Sequence, residues 1–159
     1  MIIREFTTDD IPQMTAIWNE IVEEGIAFPQ KETLTEDGAR EFFSAQSFTG
    51  VCEENGEILG LYILHPNNVG RCGHISNASY AVKSNRRSRG IGRKLVTDCL
   101  KKAKELRFGI LQFNAVVKTN LSARHLYESL GFTALGTIPK GFLMKNGEYE
   151  DIVVFYKEL

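Results

Sequence analysis

The spacing of apolar residues along the chain predicts a mixed protein of four helices and seven strands. Apolar residues three or four positions apart indicate one helix over about residues 11–22 and a longer one over about residues 91–107. Two shorter helices are predicted, one after Thr35 and one before Gly131. Alternating or continuously apolar stretches predict strands over residues 1–6, 50–53, 57–64, 72–82, 110–117, 134–138 and 150–156.

Glycine and asparagine mark where several of these elements end. Asn55-Gly56 is the strongest hairpin signal in the sequence and joins the second and third strands. Gly25 follows the first helix, as expected of a residue that ends a helix. Residues 139–147 contain the turn sequence Lys145-Asn146-Gly147, so we expect a long loop between the last two strands.

A basic loop separates the apolar strand at Ile75–Val82 from the longest helix. Its arginines and glycines are Arg86, Arg87, Arg89, Gly90 and Gly92. Glycine lets the backbone approach a phosphate closely, and the first N–H groups of a helix carry partial positive charge. Arginine adds fork-shaped donors that match phosphate oxygens. Strand, loop and helix together therefore predict an anion site at the helix N-terminus.

Known phosphate-binding motifs narrow the choice of anion. A Walker loop needs Lys and then Ser or Thr after its second glycine, and no glycine pair here is followed in that way. A dinucleotide fingerprint needs a third glycine where this chain has Leu95. The remaining pattern, Arg87-x-x-Gly90-x-Gly92, resembles the acetyl-CoA pyrophosphate loop of the GNAT acetyltransferase superfamily, which reads Arg/Gln-x-x-Gly-x-Gly/Ala.

A second stretch strengthens this resemblance. The superfamily pattern Asn-x-x-Ala/Ser-x-x-x-Tyr-x-x-x-Gly-Phe is matched by Asn120, Ala123, Tyr127, Gly131 and Phe132. One helix and one strand separate the two signatures, as in the superfamily, and the elements before and after them also follow its order. The chain is therefore identified as a member of this superfamily, with a single N-acetyltransferase domain over residues 1–159.

The resemblance implies a fold and a co-substrate. The fold is an α/β (α+β) GNAT fold: a mixed, mostly antiparallel sheet of six or seven strands, splayed between strands 4 and 5 and flanked by about four helices. The pantetheine arm of acetyl-CoA would lie in the split, with its pyrophosphate on the basic loop. The residues expected to contact acetyl-CoA are Tyr80, Ala81, Val82, Arg86, Arg87, Ser88, Arg89, Gly90, Ile91, Gly92, Arg93, Asn120 and Tyr127.

The reaction that the resemblance implies is direct attack of an amine on the thioester. A protonated alkyl amine has no lone pair, so a base must first take its proton, directly or through water. Candidate bases are Glu20, Glu23 and Glu24 at the end of the first helix, and His74 at the start of the fourth strand. Of these we predict Glu24 as the catalytic carboxylate.

Two further groups are assigned to the reaction by the resemblance. A backbone N–H near Val82 would stabilise the oxyanion that forms on attack. Tyr127 stands at the superfamily's position for the acid that protonates the leaving thiolate. The alternative for Tyr127 is that its ring only packs against CoA.

More weakly, the chain resembles the branch of the superfamily that acts on small amino acids and phosphinothricin. Phe28-Pro29 and the ending Tyr149-Glu150-Asp151 are similar to that branch. Its members often carry Glu five residues before the valine of the fourth strand, where this chain has Asn77, which cannot act as a base. We expect Phe28, Asn77 and Phe142 to contact the acceptor. For the loop around Phe142, a surface connection with one buried ring is the alternative.

Composition limits the partners and the compartment. The chain has 159 residues, 43% of them hydrophobic, and a formal net charge of −1, which gives no overall attraction to nucleic acid or membranes. Three widely spaced cysteines suggest reduced thiols of the cytosol rather than a disulfide frame or a metal site. With no signal-peptide pattern and no long apolar run, we expect a cytoplasmic protein without a metal. A homodimer is possible, since dimers are frequent in the superfamily.

These observations lead to one predicted function and two alternatives. The predicted function is acetyl-CoA-dependent N-acetylation of the primary amine of a small molecule, such as an amino acid or an analogue. One alternative is acetylation of a peptide or protein N-terminus. The other is a non-catalytic acyl-CoA sensor on the same fold, which the lack of a convincing base motivates.

Overall fold

Seven strands form one sheet whose two faces are both covered by helices in the computed structural model, which describes residues 1–159. The strands are β1 (Ile2–Glu5), β2 (Phe48–Glu54), β3 (Glu57–Pro66), β4 (Ile75–Val82), β5 (Ile110–Val117), β6 (Thr133–Leu143) and β7 (Tyr149–Glu158). The helices are α1 (Ile11–Glu24), α2 (Glu36–Ser44), α3 (Ile91–Glu105) and α4 (Leu121–Ser129). The strand order is β1-β2-β3-β4-β5-β7-β6, with only β4 and β5 parallel. The expected mixed architecture is confirmed.

The two faces of the sheet carry separate hydrophobic cores. Successive residues of β3 point to opposite faces: Leu61 belongs to the core under α1 and α2, and Tyr62 to the core under α3. Trp18 is the largest buried side chain of the first core. The buried face of α3 is formed by Ile91, Leu95, Val96, Cys99 and Ala103. Leu106 lies just beyond the helix and is exposed.

The predicted turns are confirmed by the backbone. Asn55 and Gly56 both have positive φ, 53° and 82°, as a tight hairpin requires. Gly25 and Gly131 end α1 and α4 in the left-handed region, with φ of 64° and 84°. Thr35 caps α2, since its hydroxyl accepts from the Gly38 N–H at 3.0 Å.

β4 and β5 separate after only two paired residues. Ile75 pairs with Ile110 and Ser76 with Leu111, and no pair follows. The next contact between the strands is made by a side chain, because the Asn77 amide donates to the Gln112 carbonyl at 2.8 Å. The split expected between the fourth and fifth strands is therefore present.

The side chains of β5 do not alternate between the two faces along its whole length. A β-bulge lies between Phe113 and Val116, and after it Val116 and Val117 are both buried. The extra residue shifts the alternation and turns Asn114 and Ala115 toward the split.

The predicted long loop over residues 139–147 is wrong. β6 continues to Leu143 and pairs with β7 through an irregularity between Ile138 and Phe142, so that only residues 144–148 turn. Pro139 is tolerated because β6 is the edge strand of the sheet. The fourth strand is shorter than predicted, because Gly70–Cys72 form a 3₁₀ turn. No helix combines the length and the apolar composition needed to traverse a bilayer.

Candidate active site

The split between β4 and β5 opens into a cleft of about 970 Å³. Its walls come from α1 and the segment after it, both diverging strands, the loop before α3, and α4. Its two ends differ in chemistry. We call residues 87–93 the basic end, and we call residues 26–29 with Asn77, Asn114, Ala115 and Met144 the apolar end.

The basic end is the N-terminus of α3. Ser88 and Gly90 have φ of 63° and 76°, and this turn directs the start of the helix toward the cleft. No side chain caps the helix and no acidic residue lies in its first turn. Its first N–H groups therefore keep their partial positive charge and are available to an anion. At Gly92 the nearest side-chain atom, from Leu126, lies 3.5 Å from the position a Cβ would occupy, so the backbone is accessible.

Only two of the four arginines in and beside this loop face the cleft. The Arg87 guanidinium donates to the Glu24 carboxylate at 2.6 Å, which links the basic end to the last residue of α1. The Arg93 guanidinium donates to the Ser129 hydroxyl at 2.7 Å and links α3 to α4. Glu24 is the only acidic side chain that lines the cleft.

The other two arginines, both predicted to contact acetyl-CoA, bind the β2–β3 hairpin instead. Arg86 pairs with Glu57 at 2.9 Å, and Arg89 with Glu54 at 3.2 Å. Hydrogen bonds from Arg86 and then Lys83 lower the pKa of Glu57 to about 2. These pairs fix the loop to the sheet, and neither arginine lines the cleft.

β4 presents an unpaired backbone edge to the cleft. The Lys83 N–H donates to the Leu59 carbonyl at 2.9 Å, so in this antiparallel ladder alternate residues back from Lys83 bond to β3. Ala78, Tyr80 and Val82 consequently direct their N–H and C=O groups toward β5, which has already diverged. Such an edge can accept an extended, amide-containing chain as an added strand.

Tyr127 forms part of the cleft wall on α4. Its ring packs against Phe113 at a centroid distance of 4.4 Å and against Phe132 at 5.6 Å. Burial raises the pKa of the Tyr127 hydroxyl above its ordinary value, so the phenol stays protonated at neutral pH, as a proton donor must. Asn120 also lines the cleft, where its side-chain oxygen caps α4 by accepting from the Ala123 N–H at 3.3 Å.

A second phenol in the cleft wall belongs to Tyr80. The ring of Tyr80 lies 6.5 Å from that of Tyr127, and its hydroxyl is buried beside the Cys99 thiol, without a hydrogen bond to any oxygen or nitrogen atom. Burial also raises the pKa of this hydroxyl. The period-two pattern of β4 places the side chain on the α3 side of the sheet, among the residues of that core.

The apolar end combines segments that are distant in sequence. Phe28 is buried, with its ring 4.5 Å from that of Trp18, so its position is fixed by the α1 core. The Lys145 N–H donates to the Gly25 carbonyl at 3.0 Å and holds the β6–β7 turn, with Met144, against this segment. Met144 and Asn114 are cleft residues that the sequence analysis missed. Neither residue belongs to a recognisable motif.

Several predicted site residues are not brought to the cleft. Phe142 is buried against Val117 and Ile152, because β6 continues as a strand and turns the ring into that small core. Ala81 faces the α1 core. Among the alternative bases, Glu23 and His74 do not line the cleft. The predicted site residues that do line the cleft are Phe28, Asn77, Tyr80, Val82, Arg87, Ser88, Gly90, Ile91, Gly92, Arg93, Asn120, Tyr127 and Glu24.

Glu20 serves as an anchor for the loop rather than as a cleft residue. Its carboxylate accepts from both the hydroxyl and the backbone N–H of Ser84, the latter at 3.0 Å. The hydroxyl hydrogen bond is the main cause that lowers the pKa of Glu20. No group of three or more His, Cys, Asp or Glu side chains lies close enough together to hold a metal ion.

Comparison with known proteins agrees with the geometry of this cleft. A family model described as acetyltransferase (GNAT) family matches residues 12–132. The chain therefore belongs to the GNAT acetyltransferase family, and it is an acyltransferase.

Individual relatives share most of the chain. N-acetyltransferase aca1 of Schizosaccharomyces pombe is 29% identical over 160 residues, which cover 89% of this chain and 77% of that protein. A GCN5-related N-acetyltransferase from Kribbella flavida is 33% identical, with a TM-score of 0.92 over 99% of this chain and 97% of that one. A phosphinothricin acetyltransferase from Sinorhizobium meliloti, solved in complex with AcCoA, shares the fold at 20% identity, with a TM-score of 0.91 over 99% and 88% of the two chains.

Proposed function

We propose that the protein transfers the acetyl group of acetyl-CoA to the primary amine of a small molecule. The observation that carries this proposal is the cleft through the split sheet. An unpaired edge of β4 runs from the uncapped N-terminus of α3 to an apolar end lined by Phe28 and Met144. The N-terminus of α3 and the edge of β4 suit a phosphate-bearing donor with a chain of amides. The apolar end suits an acceptor.

The residues at the basic end would hold the pyrophosphate. Backbone N–H groups of Gly90, Gly92 and Arg93 supply most of the donors, since glycine allows close approach. Arg87 adds a charge-assisted contact after it leaves Glu24. Along β4, the unpaired N–H and C=O groups of the 80–82 segment bind the pantetheine amides.

The reaction uses three groups of this chain. Glu24, the only carboxylate along the cleft, takes a proton from the ammonium of the acceptor, directly or through water. The freed nitrogen forms a bond to the thioester carbon, and the N–H of Val82 stabilises the oxyanion. When the carbon–sulfur bond breaks, the Tyr127 hydroxyl donates its proton to the departing thiolate, and the second proton that the nitrogen loses on becoming an amide returns through water to the phenolate.

The test separates binding from turnover. Calorimetry with acetyl-CoA should show binding in the micromolar range, and a panel of primary amines should then release CoA thiol in an acceptor-dependent way. No binding up to millimolar acetyl-CoA would overturn the proposal. Tight binding without acceptor-dependent thiol release from any amine would instead favour a non-catalytic acyl-CoA sensor.

A further inference from the structure

The apolar end of the cleft carries no positive charge. Along the whole cleft the charged side chains are Glu24, Arg87 and Arg93. Both arginines belong to the basic end, where Arg93 lies in the first turn of α3 and bonds to Ser129. The charged side chain that borders the apolar end is therefore Glu24, one residue before the glycine that leads into the 26–29 segment, and its carboxylate stays paired with Arg87 at 2.6 Å until Arg87 turns to the pyrophosphate of bound acetyl-CoA.

Lysines near the apolar end are directed away from it. Lys145 follows Met144, but its ammonium donates to the Glu23 carbonyl at 2.8 Å, at the C-terminal end of α1. Lys118 follows β5, and its ammonium pairs with Asp151 at 3.7 Å. Neither lysine lines the cleft.

The polar side chains at the apolar end are neutral and bonded within the protein. Asn77 donates across the split to the Gln112 carbonyl at 2.8 Å. Asn114 and Asn67 exchange two amide hydrogen bonds, at 2.7 and 3.1 Å. These amides stabilise the shape of the pocket and contribute no charge. Its remaining surface comes from Ile26, Ala27, Phe28, Pro29, Ala115 and Met144.

We infer that this end selects primary amines carried on an uncharged, apolar body and excludes amines that also bear a carboxylate, an inference that rests on the proposed function. A carboxylate that leaves water needs a cation or several hydrogen-bond donors. Here it would meet apolar side chains and the like charge of Glu24. An ammonium group is attracted by the same carboxylate, so recognition of the amine and rejection of the acid have one origin.

Matched acceptor pairs test the inference on the wild-type protein. We would compare 2-phenylethylamine with phenylalanine, and 3-methylbutylamine with leucine, by thiol release at saturating acetyl-CoA. Phenylalaninamide and leucinamide serve as neutral controls that keep the amino-acid shape. After correction to the concentration of the protonated amine, the form that Glu24 is proposed to bind, kcat/KM of the amines and amides should exceed that of the acids by about 100-fold, as expected when like charges are brought together in a cleft.

A variant sharpens the test by adding a positive charge to the pocket. Met144→Arg places a cation at the apolar end and should raise kcat/KM for phenylalanine relative to phenylalaninamide by about 10-fold, the scale of one charge-assisted contact. Met144→Leu is the control, since this exchange nearly conserves volume and leaves the pocket neutral. In this control, the ratio of kcat/KM for phenylalanine to kcat/KM for phenylalaninamide should stay at the wild-type value.

The outcomes separate the two claims. Acids turned over within threefold of their amides by the wild-type protein would overturn the charge inference and leave acetyl transfer standing. Release of CoA from none of the acceptors, with acetyl-CoA bound, would overturn the proposed function and this inference with it.

Discussion

The two ends of the cleft are built in different ways. The basic end is one contiguous run of seven residues, 87–93, in which backbone N–H groups and a strained turn create the site. The apolar end is assembled from side chains of separate segments: the stretch after α1, β4, the bulge of β5 and the β6–β7 turn. Backbone geometry therefore defines the donor site, and side-chain identity defines the acceptor site.

This difference has a consequence for how the protein tolerates change. A contiguous backbone site depends on a few glycines and fails when one of them is replaced. A site made of scattered side chains can change its ligand one residue at a time, because each contributes only part of the surface. We expect the largest effects of substitution at the basic end and graded effects at the apolar end.

Gly90→Val should give the largest effect on acetyl-CoA binding. Gly90 has φ of 76° and starts α3, so a β-branched side chain strains the turn and stands in front of the helix N–H groups. We expect a dissociation constant at least about 300-fold higher by calorimetry, equivalent to loss of about two hydrogen bonds to a charged group.

Gly56→Val is a matched control for that strain. Gly56 has φ of 82° and, like Gly90, has no atom within 4 Å of the position a Cβ would occupy, but it lies in the β2–β3 hairpin. Both substitutions should lower the free energy of unfolding by about 1–3 kcal/mol. If Gly56→Val weakens acetyl-CoA binding as much as Gly90→Val does, backbone access at the basic end is not what binds the phosphate.

Tyr127→Phe should lower kcat by about 100-fold and leave acetyl-CoA affinity within a few-fold, because the ring stays and only the proton donor is lost. Activity needs the protonated phenol and is lost as pH rises through its pKa. Since that pKa is raised, an alkaline limb caused by Tyr127 lies above about pH 10 and disappears in the variant.

Tyr80→Phe is the control for the loss of a cleft hydroxyl. Its buried hydroxyl has no neighbour to bond with other than the weakly polar Cys99 thiol, so its removal should keep kcat within about threefold and should change the stability of the fold little. A Tyr127→Phe enzyme with unchanged kcat, beside a Tyr127→Ala enzyme that binds acetyl-CoA weakly, would assign the ring to packing alone.

Arg87→Ala should raise the dissociation constant of acetyl-CoA by about 10-fold, roughly the 1–2 kcal/mol of one charge-assisted contact that is partly open to solvent. The effect is smaller than that of Gly90→Val because Arg87 must first leave Glu24. Arg89→Ala is the control, since Arg89 pairs with Glu54 outside the cleft. If Arg87→Ala lowers the affinity for acetyl-CoA more than Gly90→Val does, side-chain charge and not the backbone dominates binding at the basic end.

Much of the fold could be predicted from local sequence patterns, and the predictions that were wrong failed for physical reasons. Hairpin, helix stops and amphipathic faces were predictable because each depends on residues adjacent in sequence or one helical turn apart. The continuation of β6 through Pro139 was not predictable, since it depends on pairing with β7. Proline is tolerated in this strand because β6 lies at the edge of the sheet. The bulge of β5 contains no glycine or proline that would announce it.

The same distinction applies to the candidate site. The loop and the Asn120–Tyr127 spacing were visible because they lie within short motifs. Which arginines face the cleft depends on Glu57, 29 residues before Arg86, and on Glu54, 35 residues before Arg89, and no local rule separates Arg86 from Arg87. Met144 enters the site only through the docking of its turn on Gly25. Contacts between distant segments have no signature in a single sequence.

Phe28→Leu and Phe142→Leu should give the smallest effects and separate the two phenylalanines that the sequence placed together at the acceptor. Phe28 lines the cleft, so a smaller side chain should raise the KM of an apolar amine about three- to fivefold, the scale of a partly lost apolar contact. Phe142 packs against Val117 and Ile152 outside the cleft, so the KM of the Phe142→Leu variant should stay within about twofold of the wild-type value. Both rings are buried, and both substitutions should lower the free energy of unfolding by about 1–2 kcal/mol. Because both substitutions are then expected to lower the stability to a similar extent, a difference between the KM values of the two variants reflects only whether the ring lines the cleft. A KM that rises as much for Phe142→Leu as for Phe28→Leu would mean that the β6–β7 region moves its ring into the cleft when the acceptor binds.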